Sequence, residues 1–389
     1  MAVSWPRGGP PCDAGFAIRC YPRDYQQARD DFCATVQRVG GRLAEYELPG
    51  RGACGERLVI DVARIGSPTA SCRVLVSSGL HGVEGFVGSA IQQAWLQLAA
   101  SQLRDYLESN ALEVVLIHAL NPHGFSWGRR VDADNIDLNR NFLLPDQAYT
   151  GAPQGYRELE SFLNPPGLPG YWDCYRLTAA GWILRRGVSA LKEAIASGQY
   201  DFPRGLFFGG QQAAATARVV REQSADWLGT AARIVHLDLH SGLGKWGHCR
   251  LLMPVDEVRL RPWCAELFGV SLLDRVDAAK RVSYPTRGTL IEWFSHLAES
   301  CDYRGFVAEF GTYSPIRVLG ALRAENRVHH ASRESRDQGQ AARHELLECF
   351  CPGSRNWRTN VVRQGLAVID QTIAGCQDAA RQTSPMRLE

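Results

Sequence analysis

Residues 72–100 read CRVLVSSGLHGVEGFVGSAIQQAWLQLAA, and their pattern is the strongest indication of how the chain folds. An apolar strand runs into a loop bounded by glycines, and a helical pattern begins at about Gly85. Elsewhere in the chain strands again alternate with helices, which is typical of a sheet that is covered by helices on both faces. The sequence therefore predicts an α/β fold with a mixed, largely parallel central sheet flanked by helices.

Polar side chains stand at the carboxyl ends of three predicted strands. His81 and Glu84 follow the first strand, in SGLHGVEG. His240 ends the strand in ARIVHLDLHSG, and Glu309 stands near the end of the strand in RGFVAEFGTY. Ligands collect at the carboxyl ends of strands in open α/β sheets. A structural role in a turn would account for any one of these polar residues. Their occurrence at three strand ends predicts a functional site.

The residue types of this site suggest a metal. Two histidines and one glutamate, here His81, His240 and Glu84, are a set of three protein ligands that catalytic zinc uses, and they leave a fourth position for water. Zinc held there would lower the pKa of its bound water and polarise a substrate carbonyl. Glu309, on an otherwise apolar strand, is the candidate base for proton transfer. The sequence thus predicts a zinc metallohydrolase with one zinc ion per chain.

The composition excludes several classes of partner. The chain has 389 residues with 43 Lys and Arg against 41 Asp and Glu, interspersed, so no basic surface for nucleic acid is expected. No apolar run at the N-terminus suits a signal peptide, and no stretch is long enough to span a membrane. Twelve irregularly spaced cysteines predict buried thiols in a reducing compartment. We expect a cytoplasmic protein whose partner is a peptide or small molecule.

The chain is predicted to form a single catalytic domain over residues 1–389. The segment from about 143 to 226 is rich in Pro, Gly and Tyr, and we interpret it as an insertion that shapes the pocket. A helix is predicted inside it over 178–196. The C-terminal region at about 330–380 is expected to be mostly helical, beginning with a helix over 334–348.

Arginines in NPHGFSWGRRVDADNIDLNRNF, residues 121–142, supply positive charge. An arginine fork recognises a carboxylate by two hydrogen bonds, which lysine cannot do. We assign Arg130 to the oxyanion of the tetrahedral intermediate and the pair Asn139 and Arg140 to a substrate carboxylate. Arg129 is the neighbouring candidate for substrate binding, and which of the two adjacent arginines faces the metal stays open.

The order of these motifs resembles the zinc carboxypeptidase superfamily, which includes the aspartoacylase and succinylglutamate desuccinylase enzymes. SGLHGVEGFVGSAIQ, DLNRNF, GQYDFPRGLFFGG, DLHSGLG and EFGTY together resemble a carboxypeptidase-like bacterial family labelled as a domain of unknown function. The resemblance runs from about Phe16 to beyond Trp357. It implies a zinc carboxypeptidase-like fold.

The resemblance also implies a role for each site residue. It places zinc at His81, Glu84 and His240 and makes Glu309 the general base. It further implies that Arg130 polarises the scissile carbonyl and that Asn139 and Arg140 hold a terminal carboxylate. Carboxypeptidases cover the substrate with a tyrosine on a mobile loop before the base glutamate. Tyr284 in RVSYPTRGTL stands near that place, although a plain turn residue explains it equally well.

Three functions are compatible with this pattern. A metallocarboxypeptidase that removes a C-terminal residue is favoured, because the long insertion could build an extended substrate wall. An aspartoacylase-like deacylase of N-acyl amino acids is the first alternative, supported by the compact DLNR and DLH segments. A catalytically silent carboxylate-binding protein is the second.

Two further polar residues share the strand of His240. His236 lies four residues back, too far along the strand to bind the same metal. Asp238 lies two residues back on the same face, and a plain structural role is the favoured interpretation for it, ahead of support for the metal ligand.

Overall fold

The computed structural model describes residues 12–99, 107, 111–170, 173–187, 191, 194–195, 197–253, 260–273, 286–331 and 339–383. Tyr284 lies outside these described residues. Within them, no helix is long and apolar enough to cross a membrane.

Seven strands of the described chain form one sheet in the order β1-β2-β4-β3-β5-β7-β6. Strands β4, β3, β5 and β7 run parallel, whereas β1, β2 and β6 pair antiparallel with their neighbours. The sheet is therefore mixed with a parallel centre, and the predicted fold class is confirmed. The strands are β1 (Arg42–Leu48), β2 (Leu58–Gly66), β3 (Cys72–Ser78), β4 (Leu112–His118), β5 (Arg233–Ser241), β6 (Cys249–Leu252) and β7 (Asp302–Phe310).

Helices pack against the sheet and build the wall beside it. The described α-helices are α1 (Ala14–Arg19), α2 (Tyr25–Arg38), α3 (Gly85–Ala99), α4 (Pro122–Trp127), α5 (Gln154–Leu163), α6 (Tyr175–Arg186), α7 (Ala215–Leu228), α8 (Arg261–Phe268), α9 (Leu290–Leu297), α10 (Pro315–His329), α11 (Gln340–Phe350) and α12 (Arg355–Thr383). Two short 3₁₀ turns, Gly82–Glu84 and Leu138–Arg140, carry site residues.

Burial explains the apolar sequence of the central strands. Every residue of β3 and β4 is buried, which parallel strands covered on both faces require. The edge strand β1 is largely exposed and alternates charged with apolar residues. Because the central strands are apolar, the middle of the sheet is buried, and the ends of β3 and β5 are buried with it.

The turn after β3 depends on two glycines. Gly79 has φ +63°, a left-handed conformation that favours glycine, and a Cβ there would lie 2.7 Å from the Cβ of Ala119. A Cβ on Gly82 would lie 2.1 Å from a backbone atom of Gly124. The backbone thus passes close against α4 and directs His81 and Glu84 inward.

The predicted helices of the insertion and the C-terminal region are present with shifted boundaries. The helix expected over 178–196 begins at Tyr175, and α6 ends at Arg186. The helix expected over 334–348 corresponds to α11, which begins at Gln340, while 332–338 lie outside the described residues. The short strand β6 was not predicted from the sequence; it has four residues, pairs with β7 in the sheet, and forms a further bridge between Leu251 and Leu273.

All twelve cysteines are free, and eight of them are buried. Cys54 and Cys174 are exposed, so the expectation of buried thiols was wrong for these two.

Candidate functional site

The three predicted metal ligands meet at the carboxyl ends of β3 and β5. His81, Glu84 and His240 are buried, and one possible ligand atom from each lies within 4.8 Å of the others. His81 Nδ1 lies 2.9 Å from Glu84 Oε1, and His240 Nδ1 lies 3.0 Å from Glu84 Oε2. The two Nδ1 atoms are 3.2 Å apart. Ligand-type atoms of three side chains thus converge on one small volume.

Two buried aspartates contact the other nitrogen of each imidazole. Asp137 Oδ1 lies 3.1 Å from His81 Nε2, and Asp238 Oδ2 lies 2.6 Å from His240 Nε2. A carboxylate on Nε2 favours a proton there and leaves the lone pair of Nδ1 toward the shared centre. Two such lone pairs beside the Glu84 carboxylate repel one another unless a positive charge lies between them. The donor set therefore fits a divalent cation such as zinc.

The pKa shifts of Glu84 and His240 are opposite in direction, and each favours the charged form of its side chain. Burial acts to raise the pKa of Glu84, but the charges and hydrogen bonds of His81 and His240 outweigh it and hold that pKa below its usual value. Burial acts to lower the pKa of His240, but Asp238 and Glu84 outweigh it and raise that pKa well above its usual value. The surroundings thus stabilise the negative charge of Glu84 and the positive charge of His240 against the effect of burial.

Glu309 stands beside the cluster because the sheet register places it there. It pairs with His240 across the parallel ladder of β5 and β7. Its Oε1 accepts a hydrogen bond from the backbone N–H of Leu243 at 2.8 Å. Burial, and next the charge of Glu84, raise the pKa of Glu309 to about 7. A carboxyl group that titrates near neutral pH can both accept and donate a proton.

Arg130 lies on the cavity side of the cluster. Its backbone carbonyl accepts from Gly82 N at 3.0 Å, which ties it to the turn that carries His81. Its guanidinium donates to Asp137 Oδ2 at 3.0 Å and to Glu84 Oε1 at 3.3 Å, and its Nη2 lies 2.7 Å from His81 Nε2. The structure therefore brings Arg130 to the candidate metal centre.

Arg129 points elsewhere, so its assignment to the substrate is corrected. Its Nε donates to Glu325 at 2.7 Å and its Nη2 donates to Asn135 at 3.0 Å, both within the buried interior. The side chain is buried and does not line the cavity. An arginine sequestered with a glutamate of α10 is a structural ion pair. Of the two adjacent arginines, Arg130 faces the cluster.

Asn139 and Arg140 lie on the second 3₁₀ turn and both line the cavity. Asp137 caps this turn by accepting from Asn139 N at 3.1 Å. The side chain of Asn139 accepts from Leu290 N at 3.1 Å, which places it at the start of α9. Arg140 is buried, and its Nη1 donates to the Asn139 carbonyl at 2.6 Å. This pair therefore stands at the α9 end of the site.

One cavity of ≈ 440 Å³ joins these groups, a size within the range of small-molecule sites. Its wall near the cluster is polar and the rest is mostly apolar. The lining residues are His81, Glu84, Arg130, Asn139, Arg140, Leu159, Phe162, Tyr175, Ala179, Trp182, Ile183, Leu191, Ile195, Phe207, His240, Ser241, Gly242, Leu243, Leu252, Met253, Thr286, Thr289, Ile291, Glu292, Val307, Glu309, Pro315, Ile316, Val318, Leu319, Leu322 and Phe350.

Part of the support beneath the histidines was not predicted from the sequence. Asp137 was not singled out, although it stands two residues before Asn139 in DLNR. Asp238 is more than a plain structural residue, because it binds His240 directly. A hydrogen-bonded chain continues from it to Ser77 at 2.6 Å and to His236, whose Nε2 lies 2.8 Å from the Ser77 hydroxyl. Asp238 and His236 lie two and four residues before His240, on the same face of the strand, and this spacing was the feature of the sequence that could have indicated the support.

Comparisons with known proteins give one family match and several similar structures. Residues 21–364 match the family described as "Protein of unknown function (DUF2817)", as the expected resemblance implied. No curated protein matches the sequence.

The similar structures have low sequence identity. Carboxypeptidase A from Helicoverpa armigera is 14% identical, with a TM-score of 0.43 over 89% of this chain and 74% of that one. Bovine thrombin-activatable fibrinolysis inhibitor is 9% identical, with a TM-score of 0.46 over 93% and 98%. Murein-tripeptide amidase MpaA from Escherichia coli O157 is 16% identical, with a TM-score of 0.34 over 73% and 91%.

Proposed function

The chain belongs to the DUF2817 family, and we propose that it is a zinc-dependent hydrolase that cleaves an amide bond next to a free carboxylate. One observation carries the proposal: the buried cluster, the glutamate whose pKa is about 7 and two inward arginines line the same cavity. The first candidate reaction is that of a metallocarboxypeptidase, which removes the C-terminal residue from a peptide or peptide-like substrate.

We assign zinc to His81, Glu84 and His240. The support is the orientation of the imidazoles, since Asp137 and Asp238 contact their Nε2 atoms and leave Nδ1 toward Glu84. Zinc bound there polarises a carbonyl and lowers the pKa of a water molecule.

Glu309 moves the proton. Its Oε1 is held by Leu243 N, so we assign proton transfer to Oε2. As a carboxylate it takes a proton from the attacking water, and as an acid it returns that proton to the leaving nitrogen. A pKa raised by burial suits both halves of this cycle.

Arg130 stabilises the charge that develops on the carbonyl oxygen. Its Nη2 now lies 2.7 Å from His81 Nε2. If His81 held the metal through Nδ1, its Nε2 would carry the proton and donate it to Asp137, and the Arg130 guanidinium could then no longer donate to Nε2. We infer that it turns toward the cavity, where its side chain is already 12% exposed.

Asn139 and Arg140 fix the substrate by its carboxylate. The guanidinium and the side-chain amide offer several N–H donors, which match the two oxygens of a carboxylate. When the carboxylate of the substrate is bound there, the amide bond next to that carboxylate lies closest to Glu309. The distance between this pair and the cluster therefore determines which amide bond is cleaved.

Hydrolysis of N-acyl amino acids is the second candidate. Such a substrate has the same amide bond and the same carboxylate, and the apolar remainder of the cavity favours it. A catalytically silent carboxylate-binding protein has less support, because the candidate ligands and the base are all in place.

Hydrolysis of a mixed library of peptides and N-acyl amino acids tests the proposal. The zinc-reconstituted protein is expected to cleave library members that have a free α-carboxylate and to spare the same compounds as methyl esters. Treatment with a chelator should stop cleavage, and added zinc should restore it. Equal cleavage of the acids and their esters would contradict carboxylate recognition, and the absence of any cleavage would favour the silent binding protein.

A further inference from the structure

The cavity extends well beyond the cluster into a space between three helices. We call this space the acyl chamber and define it by Phe162 of α5, Trp182 and Ile183 of α6, and Ile316, Leu319 and Leu322 of α10. It is continuous with the candidate active site, since all six residues line the same cavity as His81.

The acyl chamber lies on the Arg130 side of the cluster. The Arg130 guanidinium stands 5.5 Å from the ring centre of Phe207, and Phe207 packs in one apolar cluster with residues of α5 and α10. The carboxylate-binding residue Asn139 instead contacts Leu290 at the start of α9. A substrate held by its carboxylate at Asn139 therefore directs the other side of its amide bond into the acyl chamber.

The walls of the acyl chamber offer hydrocarbon and few polar partners. None of the lining residues that α5, α6 and α10 contribute is charged, within the part of the chain that the structure describes. The Tyr175 hydroxyl is already committed to the carbonyl of Ile316 at 2.8 Å. Backbone groups inside a helix are bonded to one another, so these walls provide no sheet edge for a peptide.

The acyl chamber is also held in place before any substrate arrives. Asp173, just before α6, accepts from Arg323 of α10 at 2.5 Å and 3.2 Å, and also from Arg327. The rings of Phe162 and Tyr175 stack with centres 5.6 Å apart. A preformed apolar space binds an apolar ligand without the cost of ordering a loop.

We propose that the acyl chamber binds a long hydrocarbon chain, so that the substrates are N-acyl amino acids with fatty acyl groups. This inference rests on the proposed amide hydrolase and selects its deacylase form. Water adds across the amide: the C–N bond breaks, the hydroxyl joins the acyl carbon and a proton goes to the amine. The products are a fatty acid and a free amino acid. A peptide would leave its backbone N–H and C=O groups unpaired against these walls.

Two compounds that differ only in acyl length test the inference: N-decanoyl-L-leucine and N-acetyl-L-leucine. Each buried methylene is expected to raise kcat/KM roughly fourfold, so the decanoyl compound should exceed the acetyl compound by at least about 10²-fold. Their dissociation constants are measured in parallel by calorimetry on zinc-reconstituted Glu309→Gln protein, which separates binding from turnover.

A pair of variants on α6 locates the effect. Ala179 is buried and lines the cavity, whereas the next residue, Ala180, is exposed. Ala179→Phe fills the acyl chamber and should reduce the decanoyl preference at least tenfold, while Ala180→Phe should keep it. If Ala179→Phe does not fold, Ile316→Glu serves instead, because Ile316 is 38% exposed at the rim and a charge there opposes a hydrocarbon chain.

The outcomes separate this inference from the proposed function. Cleavage of both compounds without a length preference would overturn the acyl chamber and leave the amide hydrolase standing. Tighter binding of the decanoyl compound without any cleavage would support the acyl chamber and overturn the hydrolase. Equal binding of the two compounds, or a decanoyl preference that survives in the folded chamber variant (Ala179→Phe or its substitute Ile316→Glu), would overturn the inference whatever the turnover.

Discussion

The metal cluster and the acyl chamber share one cavity but are held in different ways. The cluster is fixed by the sheet, where His240 pairs with Glu309 and Ser77 pairs with Asp238 across parallel ladders. The acyl chamber is formed by side chains of three helices that ion pairs and ring stacking tie together. Changes in the first region should therefore abolish the reaction, whereas changes in the second should alter the choice of substrate.

The largest effect on activity is expected from Glu309→Gln. This substitution removes the candidate base from the site beside the metal cluster and leaves the three metal ligands in place. Loss of general acid–base catalysis should lower kcat by about 10²- to 10⁴-fold, with bound zinc unchanged by elemental analysis. Glu299→Gln is the matched control, because that side chain is 74% exposed. Normal turnover in the Glu309 variant would remove this residue from its assigned role.

The two adjacent arginines are expected to have different effects when each is replaced by alanine. Arg130→Ala should lower kcat of the folded protein by about 10²- to 10³-fold, as the loss of an oxyanion donor does, and it should also cost stability because the buried Asp137 loses a partner. Arg129→Ala should instead reduce the free energy of unfolding by roughly 3–5 kcal/mol, because it leaves the Glu325 charge buried and unpaired. Steady-state kinetics and denaturant unfolding on both variants check this. A loss of kcat confined to Arg129→Ala would instead assign the oxyanion to Arg129.

The pH dependence of the metal-free protein tests the burial of Glu309. Its pKa is about 7 in the folded chain against 4.5 ordinarily. The folded state then binds more protons between these values, so stability falls as pH rises from about 4.5 to 7. The loss is on the order of 3 kcal/mol, and Glu309→Gln should lack this contribution. Unfolding curves of both proteins across this range measure it, and identical pH profiles would contradict the raised pKa.

The smallest effect concerns the hydrogen-bonded chain beneath His240. Ser77→Ala removes the hydroxyl between Asp238 and His236. Zinc affinity should fall by about 10-fold, the lower end of the range for loss of support behind a ligand. Ser78→Ala is the matched control, since that buried hydroxyl bonds Gln92 and Ile117 instead. Competition titration with a zinc chelator gives both affinities, and equal affinities would show that the chain beyond Asp238 does not support the metal.

Local patterns explain what the sequence could predict. The strand-to-loop pattern around His81, His240 and Glu309 is contained in short segments, and parallel strands bring their carboxyl ends together. The fold class and the meeting of these residues followed from that. Asn139 and Arg140 were predicted from the segment rich in Asn, Asp and Arg, and both line the cavity because they lie on one short turn.

Features that depend on distant packing could not be predicted. Arg129 and Arg130 are adjacent residues of the same type, so the sequence does not distinguish their roles. The difference comes from Glu325, nearly two hundred residues away, which binds Arg129. The acyl chamber required the mutual arrangement of α5, α6 and α10, which no local pattern encodes. The short strand β6 depends on β7 for its pairing.

Zinc binding is the measurement that decides whether His81, Glu84 and His240 form a metal site. Elemental analysis and calorimetric titration of the purified chain and of His240→Ala, after zinc reconstitution and removal of free metal, measure it. We expect about one zinc ion per wild-type chain, and we expect the variant to lose that ion while it keeps the circular-dichroism spectrum of a folded protein. A wild-type chain that binds no zinc, or a variant that keeps it, would contradict the assignment of the metal to His81, Glu84 and His240.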